Sequence, residues 1–69
     1  MDPFTRRRLA RFIDDFRQKS GQLPTLRDFE GAGFARELID GAERDGVLER
    51  LYVTLTNGTV VKGYKVREP

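Results

Sequence analysis

Reactive chemistry in a protein usually starts from cysteine, histidine or a carboxylate pair held in an apolar pocket. This 69-residue chain has no cysteine and no histidine. Disulfides and thiolate metal sites are therefore excluded, and the usual general base and commonest metal ligand are missing. Asp14 and Asp15 are adjacent, and on a helix neighbouring side chains diverge. No glycine-rich phosphate loop occurs. The chain is thus expected not to be an enzyme, to need no cofactor or metal, and to have no evident small-molecule substrate. What remains is charge. Thirteen basic residues oppose eleven acidic ones, net +2, and they are segregated. Residues 1–23 hold six basic and three acidic residues (+3), residues 24–49 three and seven (−4), and residues 50–69 four and one (+3). The chain is basic at both ends and acidic in the middle.

The composition, 38% hydrophobic and 35% charged, predicts a soluble, cytoplasmic globular protein. No apolar run approaches the ~20 residues of a membrane span, and no signal-peptide core is visible, so a membrane partner is not expected. The length allows one domain, residues 1–69, burying about 60% of the surface its unfolded chain exposes.

Four elements must position the charges. Asp2 and Pro3 suit a helix N-cap and first turn. Leu9, Phe12, Ile13 and Phe16 follow at i, i+3, i+4, i+7, one face of a helix. Arg7, Arg11, Asp14 and Gln18 lie opposite, and Arg11 with Asp15 forms an i,i+4 pair. Ser20-Gly21 stops this helix. Phe4 falls off the apolar stripe, in a frayed turn or exposed toward a second chain. Gln22-Leu23-Pro24 is extended, because the residue before proline avoids the α region. Thr25 and Asp28 resemble a capping box opening a short helix with Leu26 and Phe29 on one face, ended by Gly31-Ala32-Gly33. A third helix spans about Phe34 to Asp45. Phe34, Ala35, Leu38, Ile39 and Ala42 form its apolar face, and Arg36, Glu37, Asp40, Glu43 and Arg44 its polar one. Gly41, inside it, suggests close approach of another backbone, and Gly46 suits a left-handed cap.

The rest predicts a β-hairpin. Asn57-Gly58 favours a two-residue type I′ turn. That register sets Thr56 opposite Thr59, Leu55 opposite Val60, Val53 opposite Lys62 and Leu51 opposite Tyr64. Leu51, Val53, Leu55, Val60, Tyr64 and Val66 then face inward, and Tyr52, Thr54, Val61 and Lys65 outward. The stem of Lys62 would run along the core edge.

Three helices closed by a hairpin make an α+β domain. In this order of elements the chain resembles the winged helix-turn-helix family. The carrying residues are Leu23-Pro24-Thr25-Leu26-Arg27-Asp28-Phe29 into the second helix, Glu43-Arg44-Asp45-Gly46-Val47-Leu48 after the third, and the Asn57-Gly58 hairpin where the family has its wing. The resemblance covers nearly the whole chain. It departs from the family in a short second segment and in an acidic third helix. Residues 34–45 carry Arg36 and Arg44 against Glu37, Asp40, Glu43 and Asp45, net −2.

The resemblance implies double-stranded DNA as partner, with the third helix in the major groove and the wing on the backbone, as in a transcriptional regulator or accessory factor. Arg36, Glu37 and Asp40 would then read bases. Arg6, Arg7, Arg8, Arg11, Arg27, Arg44, Lys62 and Lys65 would hold phosphates, and Asn57 and Thr59 would sit at the wing tip. Three helices and a hairpin consume the chain and leave no effector domain. A homodimer on a two-fold site would extend the few base contacts one module offers. The alternative is an adaptor or dimerisation module that contacts protein through its acidic helix and does not bind DNA. The three-dimensional placement of the cations separates the two.

Overall fold

The structure is a computed structural model and describes residues 1–67, with Val53 and Val61 described in their backbone only. Its order is α1 (Pro3–Ser20), α2 (Leu26–Gly31), α3 (Arg36–Arg44), β1 (Leu48–Thr54) and β2 (Val60–Val66). This is a small α+β domain with three helices followed by an antiparallel hairpin.

The helix ends follow from local chemistry. Asp2 caps α1: its carboxylate accepts the Thr5 N–H at 2.8 Å and the Thr5 hydroxyl at 2.7 Å. At the other end Gly21 is left-handed, φ +73°, and its N–H donates to the Arg17 carbonyl. The predicted capping box of α2 is present: Thr25 Oγ1 accepts the Asp28 N–H, and Asp28 Oδ2 accepts the Thr25 N–H at 2.8 Å. α3 is a little shorter than the sequence suggests. Ala35 is its N-cap and is exposed, not part of the apolar face. Gly41 has no neighbouring backbone to admit, since a Cβ there would meet nothing within 4 Å.

The core gathers one face from each helix. Leu9 and Ile13 of α1, Phe29 of α2, Phe34 of the connecting turn, Ile39 and Ala42 of α3, and Val47, Leu48 and Tyr64 of the hairpin segment are buried. Phe29 is the hub. Its ring centroid lies 5.0 Å from Phe12, 5.7 Å from Phe34 and 5.8 Å from Tyr64, the last two edge-on. Edge-on and tilted pairs in this range add to the burial of the rings themselves. One residue thus ties α1, α2, the turn before α3 and β2 together.

The hairpin corrects the sequence reading. Leu48 pairs with Val66, Arg50 with Tyr64, Leu51 with Gly63, Tyr52 with Lys62 and Thr54 with Val60. This register is one residue away from that of a two-residue loop. The Leu55 N–H donates to the Thr59 carbonyl and the Gly58 N–H to the Leu55 carbonyl. Gly58 has φ +87°, while no non-glycine residue has positive φ. A type I′ turn would need Asn57 left-handed too. The connection is instead a three-residue loop ending in a left-handed glycine, the next commonest hairpin solution. A one-residue slip reverses the faces of one strand relative to the other. Leu48 and Arg50 therefore share the face of Tyr64, and Leu51 and Leu55 are only half-buried. Val60, expected inside, is 55% exposed, and Lys65, expected outside, is half-buried. The expected side-chain placements of Val53 and Val61 lie outside the described residues.

The extended piece before α2 joins the hairpin. Thr25 faces Gly63 in an antiparallel bridge, and the Tyr64 N–H donates to the Pro24 carbonyl at 2.9 Å. That stitch fixes the start of α2 against β2.

Candidate nucleic-acid interface

The cations named from sequence fall into separate places. Arg6, Arg7, Arg8 and Arg11 are all exposed on α1. Arg8 reaches over the Phe34 ring, its guanidinium carbon 5.1 Å from the centroid. Arg8 and Arg11 line a shallow depression with Phe12, Asp15, Ala32 and Phe34. This puts them beside the turn that leads into α3. The cation–π contact uses the flat face of Phe34 and limits where the Arg8 head can go. The predicted Arg11–Asp15 ion pair is not formed.

Arg27 and Lys62 meet in a second place, a groove between the start of α2 and the hairpin. Sequence spacing puts them 35 positions apart; the Thr25–Gly63 bridge brings them together. Lys62 does not run along the core edge but stands exposed at that groove. Lys65 goes elsewhere. Positions 62 and 65 are an odd number apart on β2 and so project from opposite faces. Lys65 lies 3.7 Å from Glu49 and beside Asp14 and Arg17 of α1. At the tip of the hairpin Asn57 and Thr59 are exposed, and Asn57 Oδ1 accepts the Thr59 N–H at 2.9 Å. The Asn57 side chain thus serves the turn.

On α3, Arg36, Glu37, Asp40 and Arg44 are exposed. The helix is less acidic than its own residues suggest, because Arg50 of β1 donates to the Glu43 carboxylate. That hydrogen bond raises the Arg50 pKa above its already high ordinary value. Residues 34–45 carry −2; adding Arg50 gives −1. The amino group of Met1 also lies 3.6 Å from the Asp45 carboxylate. Arg50 was not singled out by sequence reasoning. Its signal was there: Leu48, two residues earlier, shares its strand face, and a correct register sets Arg50 opposite Tyr64. Burial raises the Tyr64 pKa, with Arg50 lowering it and Glu43 and Asp40 raising it in smaller measure. The phenol is therefore neutral at ordinary pH and sits within reach of the α3 charges.

Among the described residues, none of Arg6, Arg7, Arg8, Arg11, Arg27, Arg36, Arg44 and Lys62 is ion-paired. No group of three or more acidic side chains among them could hold a metal ion. Compared with known proteins, the chain matches no family model, no curated protein and no solved structure. No helix is long and apolar enough to cross a membrane among the described residues.

Proposed function

We propose that this domain binds double-stranded DNA in the manner of a winged helix. α3 lies in the major groove, with Arg36, Glu37 and Asp40 toward the bases, and the flanking cations hold the backbone. The observation that carries this reading is the placement of Arg8 and Arg11, exposed and without an acidic partner among the described residues, beside the turn that enters α3. A helix that reads bases needs phosphate contacts at its flanks to set its register. Arg6 and Arg7 extend that cluster along α1, and Arg27 and Lys62 form a second cationic spot at the hairpin. The layout supports the same reading: three helices, an extended piece bridged to β2, and a hairpin closing the core. The Arg50–Glu43 pair removes part of the acidity that otherwise favours a protein partner for α3. Lys65, engaged with Glu49, makes a weaker phosphate contact than Lys62. Phe4, 64% exposed, and Tyr52, 75% exposed, offer apolar contacts for a second copy on a two-fold site.

Base preference and backbone affinity separate the roles. Arg36→Ala should relax sequence preference with a modest loss of affinity. Arg8→Ala with Arg11→Ala should weaken binding about uniformly across sequences. Measured on a randomised duplex pool, a uniform loss for Arg36→Ala would remove it as a reader. Unchanged affinity for the α1 double variant would remove that cluster from the interface and leave the adaptor reading in its place.

A further inference from the structure

We propose that the groove between α2 and the hairpin is a binding site for an amphiphilic carboxylate, a medium-chain aliphatic acid anion. The groove encloses about 660 Å³, inside the range of small-molecule sites. Its floor is apolar and comes from four separate parts of the chain: Phe16 of α1, Leu23 of the extended piece, Leu26 of α2 and Leu55 beside the hairpin loop. All four are only half-buried, so each keeps apolar surface in contact with water. Phe16 stands outside the aromatic hub, touching only the edge of it through Phe12 at 5.9 Å.

The rim carries the opposite chemistry. Arg27 and Lys62 line the groove from α2 and β2, both exposed and neither ion-paired among the described residues. The one acid in the lining is Asp28, and its Oδ2 already accepts the Thr25 N–H at 2.8 Å and the Thr25 hydroxyl at 3.0 Å. With Asp28 held by its capping box, two cations face one engaged carboxylate, net +1.

An apolar floor under a cationic rim selects its ligand. An aliphatic tail displaces water from Phe16, Leu23, Leu26 and Leu55, and a carboxylate at its end makes charge-assisted hydrogen bonds to Arg27 and Lys62. A neutral hydrocarbon leaves the cations unused, and an inorganic anion leaves the floor wet. Binding of the carboxylate is independent of the nucleic-acid reading. Its consequence rests on that reading: Arg27 and Lys62 are also backbone contacts, so the bound anion competes with duplex DNA.

The test is a nuclear magnetic resonance titration of the full chain with sodium decanoate below its micelle concentration. Saturable shifts centred on the amides of Leu23, Leu26 and Leu55 are expected. Arg27→Gln with Lys62→Gln should weaken decanoate about tenfold and leave decanol unchanged, whereas Leu55→Asn should weaken both. Non-saturating shifts, shifts centred elsewhere, or decanol binding as tightly as decanoate would overturn the site. Binding of an acidic leucine-containing peptide without binding of decanoate would overturn it in favour of a protein partner. Decanoate that binds and displaces duplex supports both readings. Decanoate that binds a protein with no affinity for duplex supports the site and sinks the nucleic-acid reading alone.

Discussion

Replacing Gly41 by alanine should make this protein more stable. Gly41 is the sixth of the nine residues of α3, and its carbonyl accepts the Asp45 N–H at 2.9 Å. Its φ is not positive, so alanine fits the backbone without strain. A Cβ built there meets nothing within 4 Å. The new methyl therefore neither clashes nor fills a hole, and the gain comes from restricting the unfolded chain. In a helix interior that gain is about 0.8–1.0 kcal/mol. Near the end of a short helix, where fraying already frees the backbone, about 0.5–1 kcal/mol is expected. For a domain of this size 1 kcal/mol moves Tm by about 4–8 °C. Urea and thermal unfolding followed by far-ultraviolet circular dichroism should show a higher midpoint at an unchanged urea slope. An unchanged or lower midpoint would mean that the Gly41 face is occupied, as the sequence first suggested, or that α3 ends before it.

Three further outcomes follow from the same structure. Phe29→Ala removes the hub shared by Phe12, Phe34 and Tyr64 and should cost about 3–5 kcal/mol. A domain of this length holds only about 3–10 kcal/mol in total. Denaturant unfolding should find the variant marginal or unfolded, and a loss under about 1 kcal/mol would refute the hub. Asp2 has its carboxyl pKa held below the ordinary 3.8 by the Thr5 backbone hydrogen bond first and the Thr5 hydroxyl second. A depressed folded pKa gives stability that is present above the unfolded value and lost as pH falls through the folded one. Asp2→Asn keeps the hydrogen-bonding cap but removes the titrating charge, so it should be less stable than the parent at neutral pH, with the difference closing as pH falls below about 4; a difference that stays constant with pH would contradict it. Arg50→Gln frees Glu43 and should weaken non-specific duplex binding, Glu43→Gln should strengthen it, and equal affinities in a low-salt titration would show that the pair does not shape the field at α3.

Much of the fold was legible because its signals are local. The caps at Asp2 and Thr25 are read from side chains three residues from the groups they satisfy, and Gly21 from the left-handed backbone that glycine takes readily. The apolar stripes of α1 and α3 repeat with the helix. The hairpin itself was visible, but its register was not, because Asn57-Gly58 serves both a two-residue turn and a three-residue loop. The choice between them depends on whether Leu48 and Arg50 or Leu51 face the helices. That is a tertiary matter, decided by Leu48 filling the core beside Tyr64. The same slip explains why the Arg50–Glu43 pair was missed; Val60 shares the Tyr64 face in either register and is exposed at the loop end of the hairpin, a placement that alternation alone does not give. The exposed arginines of α1 were plain from their helical phase. The meeting of Arg27 with Lys62 was not, since it depends on the Thr25–Gly63 bridge, and a single bridge between distant residues leaves no periodic trace. Strand alternation sets Lys62 and Lys65 on opposite faces already in the sequence; that Lys62 stands exposed at the groove while Lys65 is half-buried beside α1 was not legible there.

The central claim is that the unpaired cations around α3 bind a duplex backbone. Its most direct test is the affinity of the full chain for a random-sequence duplex as a function of salt. If three to five of these cations engage phosphates, log K should fall linearly with log salt with a slope of about −3 to −4.5. Binding that is absent at low salt, or that does not change with salt, would contradict the claim and leave α3 as a surface for a protein partner.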